Sequence, residues 1–270
     1  MAAKLTAAAV TLRLATADDY AAFVRLCPEL GTGDPIPAAD VWAATIAPTT
    51  LVATLADCVM AYCHFQEYDD TGYVRALVVD AANRRQGTGR ILLTTVADHL
   101  RARGKTFWRL NVKPDNVAAI ALYSSLGLRA NYLAKSFRLP WSRLDDLPSF
   151  GAVVKTLTPD RDAPSEDCFS LPRGQLTVSR RLGRVLFEAV APDGQASLGL
   201  AVFNPSFPGA FPFRVVDPRV ARDLLTAMRL LVPNDPSVNL VVEDDEALAA
   251  LLLRAGALLN LEILHMKGAL

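Results

Sequence analysis

The residues best placed to do chemistry form a short basic loop, Arg84-Arg85-Gln86-Gly87-Thr88-Gly89-Arg90. It follows the apolar run Tyr73–Val79 and precedes an amphipathic pattern in which Ile91, Leu92, Thr95, Val96 and Leu100 recur at helical spacing. A strand, a glycine-containing turn and a helix in that order aim backbone N–H groups at one point. The unpaired donors and the helix dipole then favour a phosphate. Gly87 and Gly89 let the backbone approach it closely, and Arg84, Arg85 and Arg90 add positive charge. The plain alternative is a solvated basic turn opening a surface helix. A P-loop is excluded because no Gly-Lys-Ser/Thr follows, and a dinucleotide fingerprint because the third glycine is missing. A second spaced set is Asn116-x-x-Ala119-x-x-Leu122-Tyr123-x-x-x-Gly127-Leu128. Its Tyr123 is either a packed aromatic or a phenol positioned to give up a proton.

The elements that must position these residues can be read from patterning. Val10–Leu14 is a short apolar strand. Thr16 and Asp19 form a capping-box arrangement opening a helix, Ala17–Leu26, that stops at Pro28. A looser helix spans Ala38–Ile46. Thr50–Leu55, Val59–Gln66 and Tyr73–Val79 are strands, with turns at Ala56-Asp57 and Tyr68–Gly72. After the loop come the helix Arg90–Arg103 with Gly104 at its end, a strand Phe107–Val112, a helix Asn116–Leu126 and a strand Tyr132–Leu139. The order is β-α-α-β-β-β-α-β-α-β.

The segment from Pro140 to Gly174 is rich in proline and acidic residues and is expected to be a linker with some local structure. Beyond it the patterning predicts strands at Leu176–Ser179, Val185–Val190, Ser197–Phe203 and Phe211–Val216. A helix Pro218–Leu231, a strand Val238–Val242, a helix Asp244–Arg254 and a strand Leu261–Met266 follow. Leu122–Asn131 parallels Leu251–Asn260, setting Gly127 on Gly256, Val112 on Val241 and Asn116 on Asp245. Tyr123 falls on Leu252, and the glycine loop falls near Asp217-Pro218-Arg219-Val220. The expectation is a degenerate second copy without a cofactor site.

Composition narrows the class. Hydrophobic residues are 51 % and charged residues 21 %, which is globular. Lys+Arg and Asp+Glu are 28 each, so nothing points to nucleic acid or an anionic membrane as partner. No stretch reaches the roughly 18 apolar residues of a membrane span. Met1–Val10 reads as leading into a strand rather than as a signal peptide, and a reducing cytoplasm is expected. Cys27, Cys58, Cys63 and Cys168 match no zinc spacing, and Cys58 and Cys63 read as buried free thiols. No metal is expected. His99 and His265 show no partner in the sequence, and Trp108 and Trp141 are expected to pack.

Arg84-x-x-Gly87-x-Gly89 after Leu77-Val78-Val79 resembles motif A of the GNAT superfamily of N-acetyltransferases. The Asn116–Leu128 set resembles the motif that follows it there, with Leu128 for the usual Phe. Thr11–Asp19 resembles the family's first strand and helix. The resemblance covers Val10–Leu139 and implies an α/β (α+β, mixed-sheet) fold, here in two tandem copies. It implies acetyl-CoA as cosubstrate. Backbone N–H groups of Arg85, Gln86, Gly87, Thr88, Gly89 and Arg90, with Arg84, would hold the pyrophosphate. Leu77, Val78 and Val79 would pair with the pantetheine arm, and Asn111 and Asn116 would contact the cofactor. Tyr123 would protonate the departing thiolate.

The pattern breaks at the base. Many relatives carry a Glu early in the strand before motif A, and the matching residue here is Arg75. Glu67 is taken as the substitute base. Asp69, Asp70 and His64 are the other local candidates, although the aspartates suit a turn and His64 a sheet interior. Arg75, with Tyr73, is instead assigned to the acceptor, where it could hold an anionic group. The expected layout is a catalytic domain over 1–140, a linker over 141–174 and a degenerate GNAT-like domain over 175–270. The expected activity is direct transfer of acetyl to a primary amine of a small molecule, in a monomer or homodimer. Two alternatives stay open. One is a protein or peptide N-terminal acetyltransferase, which the Asn116–Gly127 segment also resembles. The other is a non-catalytic CoA-binding regulator.

Overall fold

The computed structural model of the chain describes residues 10–31 and 35–270. The reading of the N-terminus as free of a signal peptide concerns residues 1–9 and lies outside the described ones. Two compact units are present. The first comprises residues 1–110, 121–128 and 267–270, and the second 111–120 and 129–266.

In chain order the elements are β1 (Thr11–Leu14), α1 (Tyr20–Leu26), α2 (Ala39–Val41), β2 (Thr50–Leu55), β3 (Cys58–Glu67) and β4 (Thr71–Val79). Then come α3 (Thr88–Ala102), β5 (Phe107–Val112), α4 (Val117–Ser125) and β6 (Arg129–Pro140). The same succession follows again: β7 (Val153–Thr156), α5 (Asp162–Cys168), α6 (Gln175–Arg181), β8 (Val185–Val190), β9 (Ser197–Asn204) and β10 (Gly209–Val215). It ends with α7 (Val220–Arg229), β11 (Ser237–Glu243), α8 (Glu246–Arg254) and β12 (Leu258–Ala269).

In the first unit the strands lie in the order β1-β2-β3-β4-β5, antiparallel up to β4 and parallel between β4 and β5. In the second the order is β12-β6-β11-β10-β9-β8-β7, and β10 and β11 are its parallel pair. This is the mixed α/β sheet that the sequence implied.

The internal repeat is reproduced residue for residue where the sequence showed it. Helices α4 and α8, and strands β6 and β12, begin and end at positions 129 apart. Asn116 Oδ1 accepts the Ala119 N–H at 3.1 Å, and Asp245 Oδ1 accepts the Leu248 N–H at 2.9 Å. Each helix closes on a left-handed glycine, Gly127 at φ +94 and Gly256 at φ +87. The units themselves are interleaved in sequence. β6, the last strand of the first repeat, lies in the second unit, antiparallel to β11 from Ser237↔Pro140 to Glu243↔Ala134. The expected boundary at 140 falls at the end of β6, but the second succession opens with β7, ahead of the boundary expected at 174, and the units divide at neither position. The stretch expected as a linker holds β7, laddered to β8, and α5.

Several local expectations change. The strand expected at Leu176–Ser179 is helix α6, because Glu166 of α5 accepts the N–H groups of Gly174 at 3.0 Å and Leu176 at 2.8 Å. That carboxylate satisfies the helix start from ten residues away, beyond the reach of local patterning. The looser helix Ala38–Ile46 is one α-turn followed by a π-type segment, Trp42–Ile46. Cys58 is exposed beside the hairpin turn, where Ala56 and Asp57 both have positive φ; Cys63 is buried, and all four cysteines are free thiols. His99 does have a partner, Glu67, and His265 stacks on Tyr132 at 4.5 Å. Among the described residues no helix is long and apolar enough to cross a membrane, and no group of three or more His, Cys, Asp or Glu could hold a metal.

One face of the first unit's sheet packs Phe23, Leu26, Trp42, Tyr62 and Val78 together. On α3, Leu92, Leu93, Val96 and Leu100 are almost fully buried. Leu100 presses on β4 so closely that a Cβ at Gly72 would lie 2.3 Å from its Cδ1. Because Leu100 has no room to swing aside, Gly72→Ala is expected to cost about 1–3 kcal/mol by overpacking. A urea titration checks this, with a lower midpoint at unchanged slope as the expected result.

Candidate active site

The loop after β4 is built by backbone geometry. Asp80 caps a short 3-10 turn, Ala81–Asn83, its Oδ1 accepting the Ala82 N–H at 3.1 Å. Arg85 (φ +64) and Gly87 (φ +87) are then left-handed, and α3 begins at Thr88. The first helical bond is from Ile91 N–H to Gly87 O, 3.0 Å, and no side chain caps the helix start. The N–H groups of the first turn therefore face outward as donors. A Cβ at Gly87 would meet no protein atom within 4 Å, so the space above the loop is open. This is the cradle a pyrophosphate requires, and the residues present fit that group. At Gly89 a Cβ would make ordinary contacts, 3.5 Å to Leu122 and 3.7 Å to Leu77 and Val79. The requirement for glycine lies with the backbone angle at position 87 and not with crowding at position 89.

The arginines divide in role. Arg84 folds back, its Nε donating to Val79 O at 3.0 Å and its Nη2 to the Glu29 carboxylate. Arg25 pairs with Asp80 and donates to Val59 O at 2.6 Å. The Ala82 N–H and the Arg25 guanidinium hold the Asp80 carboxyl below its ordinary range. These contacts clip the end of β4 to α1 and the turn after it. Arg90 donates to Ser125 Oγ at 2.9 Å, tying the start of α3 to the end of α4. Gln86 Nε2 reaches Ala82 O at 3.5 Å.

The strand feeding the loop parts from its neighbour. The β4–β5 ladder runs from Thr71↔Phe107 to Val74↔Leu110 and stops, while β4 continues to Val79. Opposite, His64 faces Ala76 and Phe65 faces Val74, so Arg75 is the extra residue of a β-bulge. From there, Leu77 and Val79 lie on the side of Gly89, and Val78 is buried in the apolar layer on the other side.

Tyr123 of α4 is 7 % exposed. Burial, and then the nearby Cys63 thiol, push its phenol above the ordinary value. Burial pushes Cys63 itself up to about 12. Cys63 faces Leu77 in the β3–β4 ladder, so the phenol stands by the same end of β4 as the loop. His64 is lowered to about 4 by burial and then by the charge of Arg75, partly opposed by its bond to Thr49 O. Its Nδ1 lies 3.2 Å from both Thr49 O and Thr50 Oγ1. Donation to the carbonyl assigns the proton to Nδ1 and leaves a lone pair on Nε2.

Glu67 is placed elsewhere. Its carboxylate meets His99 Nε2 at 3.2 Å, Arg103 Nε at 3.2 Å and Lys105 Nζ at 3.7 Å. Burial pushes it up, but the His99 and Arg103 hydrogen bonds outweigh that and hold it low. These partners lie at the C-terminal end of α3, about 20 Å along the helix from the loop. Asp70 Oδ1 accepts the Thr71 hydroxyl at 2.8 Å, as a turn former does. Asn111 and Asn116 belong to the second unit. Asn111 Oδ1 is buried with no hydrogen-bond partner among the described residues, and Asn116 caps α4. Sequence reading missed Arg109, which faces Tyr73 across the ladder. A charged residue inside the otherwise apolar run Phe107–Val112 was the available signal.

The sequence profile of the acetyltransferase (GNAT) family matches residues 20–128. Over 62 residues the chain is 48 % identical to the ribosomal protein bS18-alanine N-acetyltransferase of Escherichia coli strain K12, covering 21 % of this chain and 41 % of that protein. The chain thus spans about two fifths of the length of that relative. A proposed acetyltransferase from Pyrococcus horikoshii superposes with a TM-score of 0.73 at 18 % identity, over 97 % of this chain and 89 % of the other. A tandem GNAT protein from the clavulanic acid biosynthesis pathway gives 0.65 at 17 % identity, over 97 % and 98 %. The last two likenesses are of fold, and they run nearly the full length of the chain. Residues 20–128 carry the match to the acetyltransferase (GNAT) family, and beyond them the likeness is one of fold.

Proposed function

We propose that this chain transfers the acetyl group of acetyl-CoA to a primary amine of a small acceptor, by direct transfer in a ternary complex. The observation that carries this reading is convergence. The open cradle at Gly87–Arg90, the strand end Leu77–Val79 and the buried Tyr123 phenol meet at one end of β4.

Bound there, acetyl-CoA supplies an activated acyl carbon: the amine nitrogen bonds to it and the carbon–sulfur bond breaks. The chain's residues hold the parts. The first-turn N–H groups of α3 take the pyrophosphate charge, and the β4 edge released by β5 can pair with an amide-bearing arm. Tyr123 keeps its proton at neutral pH and can donate a hydrogen bond to a developing thiolate. The thiolate of a thiol with an ordinary pKa near 8.5 is a weaker base than this phenolate, so the hydrogen bond matters as much as complete transfer. Glu67, committed to His99, Arg103 and Lys105 at the far end of α3, is left out of this mechanism. Arg75 occupies the position of the family's base, and His64 is too weak a base to retain a proton at neutral pH. The amine is therefore taken up in its neutral form, and the proton that its nitrogen sheds on acylation balances the one that the departing thiolate takes up.

A second reading has one observation in its favour. The 62-residue match is to an enzyme whose named acceptor is a ribosomal protein. Mass spectrometry of candidate proteins after incubation with acetyl-CoA separates a protein acceptor from a small one. Thiol release with a mixed amine panel separates both from a CoA-binding regulator.

Tyr123→Phe is expected to lower kcat about 10²-fold or more while leaving acetyl-CoA affinity within a few-fold. Full activity across pH would remove Tyr123 from the mechanism. Gly87→Glu puts strain at a left-handed residue and a carboxylate into the cradle, and should weaken CoA binding about 100-fold by calorimetry. Wild-type affinity in that variant would falsify the loop assignment. Between about pH 4 and 6.5 the unfolded chain protonates His64 while the fold holds it neutral, so stability should fall as pH falls through that window. His64→Asn should flatten the melting temperature against pH there. An unchanged slope would assign the acid sensitivity to another group.

A further inference from the structure

Acetyl transfer needs a group to take the proton that leaves the amine, and Glu67 is turned to the far end of α3. His64 is half-buried on β3, opposite Thr50 on one side and Ala76 on the other, beside the bulge at Arg75. Its Nδ1 lies 3.2 Å from both Thr49 O and Thr50 Oγ1. The carbonyl can only accept. The Thr50 hydroxyl donates its proton to Ile46 O at 2.7 Å, so toward the ring it also accepts. Both partners therefore place the ring proton on Nδ1. The lone pair is left on Nε2, which makes no hydrogen bond among the described residues.

β3 runs between β2 and β4. A ring anchored through Nδ1 on the β2 side carries Nε2 away from β2, on the side of β4. The charge of Arg75 acts on the ring from there. The segments that anchor the ring, Trp42–Thr49 and β2, carry no ionisable side chain. Successive strand residues face opposite sides of a sheet. Cys63, opposite Leu77, is on the face of Tyr123 and Gly89. His64, opposite Ala76, is on the face of the apolar layer that holds Ile46 and Val78. No ladder joins β4 to β5 beyond Val74↔Leu110, so the sheet is parted at this level. A leaving group can depart toward Tyr123 while a nucleophile comes in from the other face, past His64.

We infer that His64 is a catalytic residue whose Nε2 takes the proton shed by the acceptor nitrogen. The inference rests on the acetyl-transfer reading and adds the proton's path. The amine lone pair bonds to the acyl carbon, and the carbonyl electron pair moves onto oxygen. The nitrogen, now positively charged, gives its proton to Nε2. The pair on oxygen returns as the carbon–sulfur bond breaks, and sulfur leaves with its electrons beside Tyr123. The imidazolium passes its proton to water, and water supplies one to sulfur, so one proton leaves nitrogen and one reaches sulfur. Burial and then the Arg75 charge lower the imidazole to about 4, too low to keep a proton but no bar to passing one on. The nitrogen it serves is no longer a free ammonium. Its bond to the acyl carbon withdraws electrons and makes its proton far more acidic, which suits a weak base.

The test uses the full chain. Thiol release from acetyl-CoA with glycinamide, putrescine and glucosamine comes first. If none of them is acetylated, the transfer reading fails and takes the inference with it. With an amine that turns over, His64→Gln keeps a donor for Thr49 O but has no atom that can take up a proton. It should lower kcat about 100-fold or more, with KM and CoA affinity within a few-fold. Added imidazole should restore part of the rate of His64→Ala, in proportion to its concentration, which a merely structural role would not produce. Melting temperatures show which variants fold, and His64→Gln carries the test alone if His64→Ala does not. Nitrogen NMR of the CoA-loaded protein at pH 7 reads the tautomer, and with three histidines in the chain His64→Gln assigns the signal. A protonated Nδ1 and a bare Nε2 are expected. A proton on Nε2, a His64→Gln kcat within threefold of wild type, a change in KM alone, or a folded His64→Ala that imidazole leaves unchanged overturns the inference while the transfer reading stands.

Discussion

A strand inside a sheet has no backbone groups to spare. It can offer an edge to a ligand only where one neighbour departs while the other stays. In the first unit that departure follows Val74↔Leu110, and the bulge at Arg75 comes with it. Much else depends on this point. The departure frees the β4 edge, and the bulge keeps Leu77 and Val79 on the side of Gly89. The turn and the left-handed pair Arg85 and Gly87 then deliver the start of α3 to the same end of the strand. Arg25 with Asp80, and Arg84 with Glu29, hold the strand end against α1 and the turn after it.

The second unit shows what the same frame becomes without those particulars. Its parallel pair is registered at Gly209↔Asn239 and Ala210↔Leu240. Beyond that, Arg214 on β10 pairs with Glu243 on β11 at 2.6 Å. Ahead of α7, Asp217 accepts the Arg219 N–H at 2.9 Å and binds the Arg219 side chain, whose hydrogen bond helps lower the Asp217 carboxyl to about 2. An internal carboxylate sits where the first unit leaves open amides. Under a shared topology the two helix starts thus differ in the side chains that meet their backbone N–H groups.

The legible part of the molecule was local. The loop at 84–90, the Asn116–Leu128 spacing, the Thr16–Asp19 cap and the repeat between the helices at 117–125 and 246–254 all depend on residues within one turn or one period of each other. Features fixed by distant partners were not legible. Nothing near Leu176 reveals that Glu166 will cap its helix. The direction of Glu67 depends on α3 bringing His99 and Arg103 beneath it. Arg109 becomes informative once the register sets it against Tyr73. Arg84 was read as a phosphate ligand because its charge is visible in sequence, whereas its turn toward Glu29 is not.

The place of β6 bears on how such a chain is made. During synthesis β6 emerges about a hundred residues before β11, the strand it ladders with. Until then its edge has nothing native to bond with, and closing so long a loop is slow. The first unit waits longer still, since Leu270 N–H bonds Thr106 O at 2.9 Å and Lys267 lies over Phe107. Cutting the gene between the repeats would not yield two independent halves. Each product would lack a strand segment that the other half of the sequence encodes.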